Sequence, residues 1–175
     1  LIELVNSLFY TTRLIKGGLL LHFEQFNFRE LIEECVENLQ RSANSCHIII
    51  QCKKETSIFA DRDRINQVLT NLISNALKYS PRGGKVIVNC SEIAEGIQVS
   101  VRDEGIGISK EMRAKVFDLF FRVNDAKENT FPGMGLGLYI TYNIIQRHGG
   151  KIWVEGEQGK GSVFYFILPY NQRTP

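Results

Sequence analysis

The chain has 175 residues, 43% hydrophobic and 23% charged, with a formal net charge of +2 and both signs interspersed. These values fit one globular domain plus an attachment and give no case for a nucleic-acid or membrane-surface footprint. No apolar run approaches the ~18 residues of a membrane span, no signal peptide is visible, and the chain opens on Leu1, so a fragment of a longer protein is expected.

Leu1 to Lys16 reads as a helix, with Leu1, Leu8 and Ile15 on a heptad-like seam that calls for a partner helix. Gly17-Gly18 ends it. Leu19 to Phe26 is short, apolar and extended. Asn27 caps the next helix, with Glu30 at the capping-box position and Leu31, Ile32, Cys35, Val36 and Leu39 on the buried stripe. His47–Cys52 and Thr56–Ala60 read as strands. Cys35, Cys46, Cys52 and Cys90 form no CxxC pair and have no histidine at zinc-finger spacing, so they are expected as reduced core or boundary residues.

Asp61 to Ser80 is one helix with two faces, N-capped by Asp61. Ile65, Val68, Leu69, Leu72, Ile73, Ala76 and Leu77 repeat as a core-facing stripe. Asn71, Asn75 and Lys78 form a second stripe at its edge, roughly 100° per residue around the axis. Asn is a poor helix former, so two amides in this row are either boundary polars or part of a site.

Pro81–Gly84 is a turn. Lys85–Ser91 and Ile97–Val101 read as an antiparallel hairpin. Asp103-Glu104-Gly105-Ile106-Gly107 leaves the second strand. Ser109 caps a short helix, Lys110–Val116, and Phe117-Asp118-Leu119-Phe120-Phe121-Arg122 follows. Asn124–Thr130 is polar and reads as a mobile loop. Gly133-Met134-Gly135-Leu136-Gly137-Leu138 feeds a helix that ends at His148-Gly149-Gly150. Lys151–Glu155 and Ser162–Leu168 are two more strands. Helices and mostly antiparallel strands in segregated blocks predict an α+β fold, a two-layer α/β sandwich.

Alternating glycines before a helix bring backbone N–H groups and a positive helix terminus to an anion. Gly133, Gly135 and Gly137 are therefore phosphate-site candidates, or a hinge without a ligand. The P-loop and Rossmann patterns are absent.

The Asn-xxx-Asn-xx-Lys-Tyr helix, Asp-x-Gly-x-Gly, the Phe-rich turn with Arg and Gly-x-Gly-x-Gly-Leu occur together and in this order. In that combination the chain resembles the ATP-binding domain of sensor histidine kinases, a Bergerat-type fold with helices on one face of a mixed, mostly antiparallel sheet. The resemblance implies ATP and Mg²⁺ as cofactors. Asn75 would bind the metal, Lys78 would reach the phosphates, and Tyr79 would lie by the adenine or ribose. Asp103 would receive the adenine amino group, with Gly105, Gly107 and Ile108 passing close to the nucleotide. Arg122 would stabilise phosphate charge during transfer. Gly133, Gly135, Leu136, Gly137 and Leu138 would close over the phosphates, with an ATP lid at about 118–133. Phe117 and Phe120 would anchor that lid by packing. Met134 stands where the family often has Thr, and Glu104 adds a negative charge near the phosphates.

Related branches of the superfamily that hydrolyse ATP, type II topoisomerases and MutL, carry a Glu one turn before the metal-binding Asn. Asn71 stands there, and an amide cannot take a proton from water. The resemblance therefore implies transfer to a histidine, with Asn71, Lys78 and Arg122 in catalytic positions. His22, His47 and His148 lack the surroundings of the family's phosphoacceptor. Residues 1–18 resemble the end of the second dimerisation and phosphoacceptor helix, 19–170 the catalytic domain, and 171–175 a tail. Implied partners are a phosphoacceptor histidine helix in a homodimer and a response-regulator receiver domain; the implied location of this domain is the cytoplasm, with the intact protein free or anchored in the inner membrane. A chaperone- or topoisomerase-type clamp, an anti-sigma-type serine kinase and a pseudokinase are the alternatives.

Overall fold

A computed structural model describes residues 20–41, 43, 46–52, 56–80, 83–122 and 135–170. The expected helix at 1–16, the loop at 124–130, Gly133, Met134 and the 171–175 tail lie outside the described residues. The elements run β1 (Glu24–Asn27), α1 (Phe28–Gln40), β2 (Cys46–Cys52), β3 (Ser57–Ala60), α2 (Arg62–Lys78), β4 (Gly84–Ile93), β5 (Gly96–Arg102), α3 (Gly137–Arg147), β6 (Lys151–Gly156) and β7 (Ser162–Pro169).

Five strands form one sheet in the order β2-β4-β5-β7-β6, and β1 pairs antiparallel with β3 in a separate ribbon. Only β2–β4 is a parallel pair in the large sheet. The mixed, mostly antiparallel sheet and segregated helices are those expected from the sequence. Among the described residues the helices lie on one face, α1 against β2, α2 against β4 and β5, and α3 against β6 and β7. The period-2 pattern places Val86, Val88 and Cys90 of β4 and Val99 and Val101 of β5 beneath them, all buried. On α2 the stripe from Ile65 to Ala76 is buried, and Leu77 at its end is partly buried. Truncating Leu72, fully buried, to Ala would cost about 2–5 kcal/mol.

The helix starts follow the sequence signals. The Asn27 side chain accepts from the Arg29 and Glu30 amides. Glu30 answers to the Asn27 side-chain amide at 3.2 Å, so the box closes side chain to side chain. Between Ser109 and Phe121 the structure departs from the expected short helix. It is a run of turns, Met112 N–H to Ser109 O and Lys115 N–H to Met112 O, with a single i→i+4 bond from Val116 to Met112. One such bond in a segment this short does not repay helix nucleation.

Asp61 is buried at the N-cap of α2, where its carboxylate accepts from Arg64 N–H at 3.0 Å and His22 N–H at 2.8 Å. Its own N–H donates to His148 Nε2 at 3.1 Å, while His148 Nδ1 lies 2.8 Å from Ile144 O. Nε2 must therefore be unprotonated and Nδ1 carries the hydrogen. One neutral ring thus joins the start of α2 to the end of α3, packed under Phe23. The ring is 1% exposed, and burial pulls its pKa below the ordinary value despite Ile144 O and the nearby Asp61 charge. Because the folded pKa is lowered, the unfolded chain binds the proton more tightly. Stability is then complete above about pH 6.5 and lost as pH falls toward the folded pKa. Urea midpoints of the native protein are expected to fall below that pH with a slope that H148Q lacks. H148A is expected to cost about 2–4 kcal/mol at pH 7.5.

Candidate functional site

The last turn of α2 and the chain leaving β5 meet at one end of the sheet. Tyr79 O accepts from Ile106 N–H at 3.1 Å, which ties the segment after Asp103 to the C-terminus of α2. The fit is backbone to backbone: a Cβ on Gly105 would stand 2.1 Å from Tyr79 O, and one on Gly107 would stand 1.9 Å from Glu157 O. Gly107 also has φ of +70°, in the left-handed region. These two glycines let the loop lie between α2 and the β6–β7 turn, where Gly159 N–H donates to Ile106 O.

The result is a cleft that opens to solvent. α2 contributes Asn75, Ala76 and Tyr79 to its wall. The loop contributes Asp103, Ile106, Gly107 and Ile108. Val116, Phe121, Arg122, Leu138, Ser162 and Phe164 complete it. A mostly apolar slot with a few converging polar groups suits a flat, partly polar ring.

Asp103 is the fixed polar point. It is 3% exposed. Its Oδ1 accepts from Gly105 N–H at 2.8 Å and Ser162 N–H at 3.3 Å, and its Oδ2 accepts from Ser162 O–H at 2.5 Å. Burial raises the carboxyl above its ordinary pKa, and the Ser162 hydroxyl, Gly105 N–H and Ser162 N–H pull it back in part. A further N–H donor in the cleft would add to what keeps this group charged.

The structure brings together Asn75, Tyr79, Asp103, Gly107, Ile108, Arg122 and Leu138 of the residues singled out from the sequence. Gly105 supports the loop from behind. Gly135 packs on the backbone of Phe120 and Phe121, and Leu136 is buried at the start of α3. Asn71 does not line the cleft. Its Nδ2 donates to Gly137 O at 3.2 Å and to the buried Thr141 Oγ1 at 3.3 Å, so it joins α2 to the first turn of α3. Lys78 holds its ammonium 4.9 Å from the Tyr79 ring centroid. Glu104 points its carboxylate to Lys85 N–H at 3.2 Å and is absent from the cleft wall, so it adds little charge inside.

One expectation changes. Phe117 packs edge-on to Phe164 and against Tyr142, as an anchor should. Phe120 instead is 57% exposed with φ of +62°, and Phe121 takes the place on the cleft wall. The alternation forced by that one left-handed residue turns the middle ring outward. The sequence reading also missed Ser162. A lone Ser opening a strand carries no signal of its own, and only the β5–β7 pairing brings it to Asp103.

The first turn of α3 faces the same end of the molecule. Its N-cap, Leu136, makes no side-chain capping bond, so the terminal N–H groups remain a place for an anion. Among the described residues no three His, Cys, Asp or Glu side chains gather as a metal cage.

Residues 60–172 match the family described as histidine kinase-, DNA gyrase B- and HSP90-like ATPase. The sensor histidine kinase WalK of Bacillus subtilis is 50% identical over 114 residues, covering 64% of this chain and 19% of that protein. A full-length ShkA structure in complex with AMPPNP is 29% identical, with a TM-score of 0.84 over 99% of this chain and 36% of that one. Histidine kinase ThkA in complex with the response regulator TrrA is 31% identical, with a TM-score of 0.75 over 99% of this chain and 50% of that one. The chain spans 19%, 17% and 44% of the first three curated relatives it matches.

Removing the Ser162 hydroxyl takes away the largest of the contributions that lower the Asp103 pKa. S162A is expected to move the Asp103 carboxyl titration upward. Carbon-detected NMR titration of the side-chain carboxyls reads this directly, and an unmoved Asp103 would show that backbone donors alone set its charge.

Proposed function

Because this chain belongs to the histidine kinase-, DNA gyrase B- and HSP90-like ATPase family, we propose that it is the catalytic ATP-binding part of a sensor histidine kinase. In the intact protein the γ-phosphoryl group of ATP passes to a histidine on a dimerisation helix and then to an aspartate of a response regulator. The observation that carries this reading is the buried Asp103 carboxylate in a cleft that Asn75 and Tyr79 also line.

In this reading adenine enters the apolar slot between Ile108, Leu138 and Phe164, and its amino group donates to Asp103. Guanine would present a carbonyl oxygen to the same acceptor and leave both groups unpaired. The phosphates then point along α2 toward Asn75 and the uncapped start of α3, whose N–H groups favour negative charge. Arg122 lies on the cleft wall and would offer a cation to charge spread over the transferred group.

Mg²⁺ fits this donor set. It asks for few protein oxygens when phosphates and water complete its shell, and the Asn75 amide oxygen is a neutral, hard donor lining the cleft. When bound, it neutralises charge on the phosphate oxygens. Asn71 has no base to offer and is hydrogen-bonded to α3, which favours transfer over hydrolysis. Lys78 reaches the phosphates only by leaving the Tyr79 ring, a change of side-chain rotamer.

The intact protein incubated with γ-labelled ATP is expected to acquire acid-labile, base-stable phosphate on a histidine. N75A is expected to lower that labelling by more than about tenfold, at least 1.4 kcal/mol of lost stabilisation. Rapid phosphate release with no labelled histidine would replace this reading with the clamp-type ATPase.

A further inference from the structure

We propose that Cys52 and Cys90 are a redox-sensitive dithiol, a modification site at which a small peroxide closes a disulfide between β2 and β4.

The two residues are direct partners in the parallel β2–β4 register. Both side chains point inward, beneath α1, and each residue is 7% exposed. Neighbouring strands lie about 4.8 Å apart, inside the range of roughly 4.4–6.8 Å between Cα atoms that disulfides span. Both belong to the one buried core cluster, so the two side chains share one face of the β2–β4 pair. The other cysteines are engaged elsewhere. Cys35 Sγ lies 3.5 Å from Thr70 Oγ1, and Cys46 S–H donates to Ser80 O at 3.6 Å.

Either thiolate attacks one peroxide oxygen, the O–O bond breaks, and the departing oxygen leaves as water, giving a sulfenic acid at that cysteine. The sulfur of its partner then displaces the hydroxyl, forming the S–S bond and a second water. Two thiols lose two electrons, the peroxide gains them, and the two thiol protons end on the two waters. The bond would close a loop from 52 to 90 that contains β3 and the whole of α2, the helix carrying Asn75.

The full chain is treated in its folded state with a few equivalents of hydrogen peroxide, blocked with iodoacetamide under denaturing conditions, and digested without reductant. The expected result is a Cys52–Cys90 linked peptide, abolished by dithiothreitol, with Cys35 and Cys46 alkylated. C52S and C52A are expected to leave a dimedone-trapped sulfenic acid on Cys90. Recovery of Cys52 and Cys90 as alkylated thiols from the native chain would overturn the proposal. So would linkages shared at random among all four cysteines, or dimedone labelling confined to Cys35 or Cys46.

Discussion

A carboxylate kept at 3% exposure by two backbone N–H groups and one hydroxyl is the interaction on which the site depends. Each of its partners is delivered by a different part of the fold. Gly105 N–H comes from the loop that Tyr79 O holds against α2. Ser162 comes from β7, in register with β5. The charge is costly to bury and is only partly compensated, which is why its pKa stays above the ordinary range. A buried acceptor with unmet demand at the floor of an apolar slot is a device for choosing among ligands by one donor.

The walls of that slot are held apart by a pair of helices fixed at both ends. At one end His148 joins the Asp61 amide to Ile144 O. At the other, Asn71 joins Gly137 O and Thr141. The spacing between the Asn75 face and the first turn of α3 is thereby set by hydrogen bonds between helices as well as by packed side chains. Positioning of this kind keeps polar groups where developing charge would meet them without rearrangement. Asn71 thus has a structural use in this chain beside the chemical one implied by its lack of a carboxylate.

Much of this was legible in the sequence because it is local. The stripe Ile65–Ala76, the caps at Asn27 and Asp61, and the alternation of β4 each follow from short-range periodicity or side-chain reach. The order of the Asn, Asp-Gly-Gly, Phe and Gly segments singled out candidate site residues, and of these Asn75, Tyr79, Asp103 and Ile108 line one cleft. What was not legible is what the chain brings together from a distance. Ser162 reaches Asp103 across 59 residues and His148 reaches Asp61 across 87. The 110–116 segment reads helical by pattern yet forms turns, with a single i→i+4 bond and the Arg113 side chain donating to Gly156 O across the chain. The outward turn of Phe120 rests on one positive φ that no residue type there announces.

The central claim is that Asp103 reads the base. Calorimetric titration of the chain with Mg-ATP and Mg-GTP, for wild type and D103N, tests it most directly. The account predicts clear preference for ATP in the wild type. In D103N it predicts an ATP affinity lower by about tenfold or more and a collapsed ATP-to-GTP ratio, as expected when a buried donor–acceptor match is removed. Equal loss for both nucleotides, or an unchanged ratio, would contradict it and leave Asp103 with a role in the loop alone.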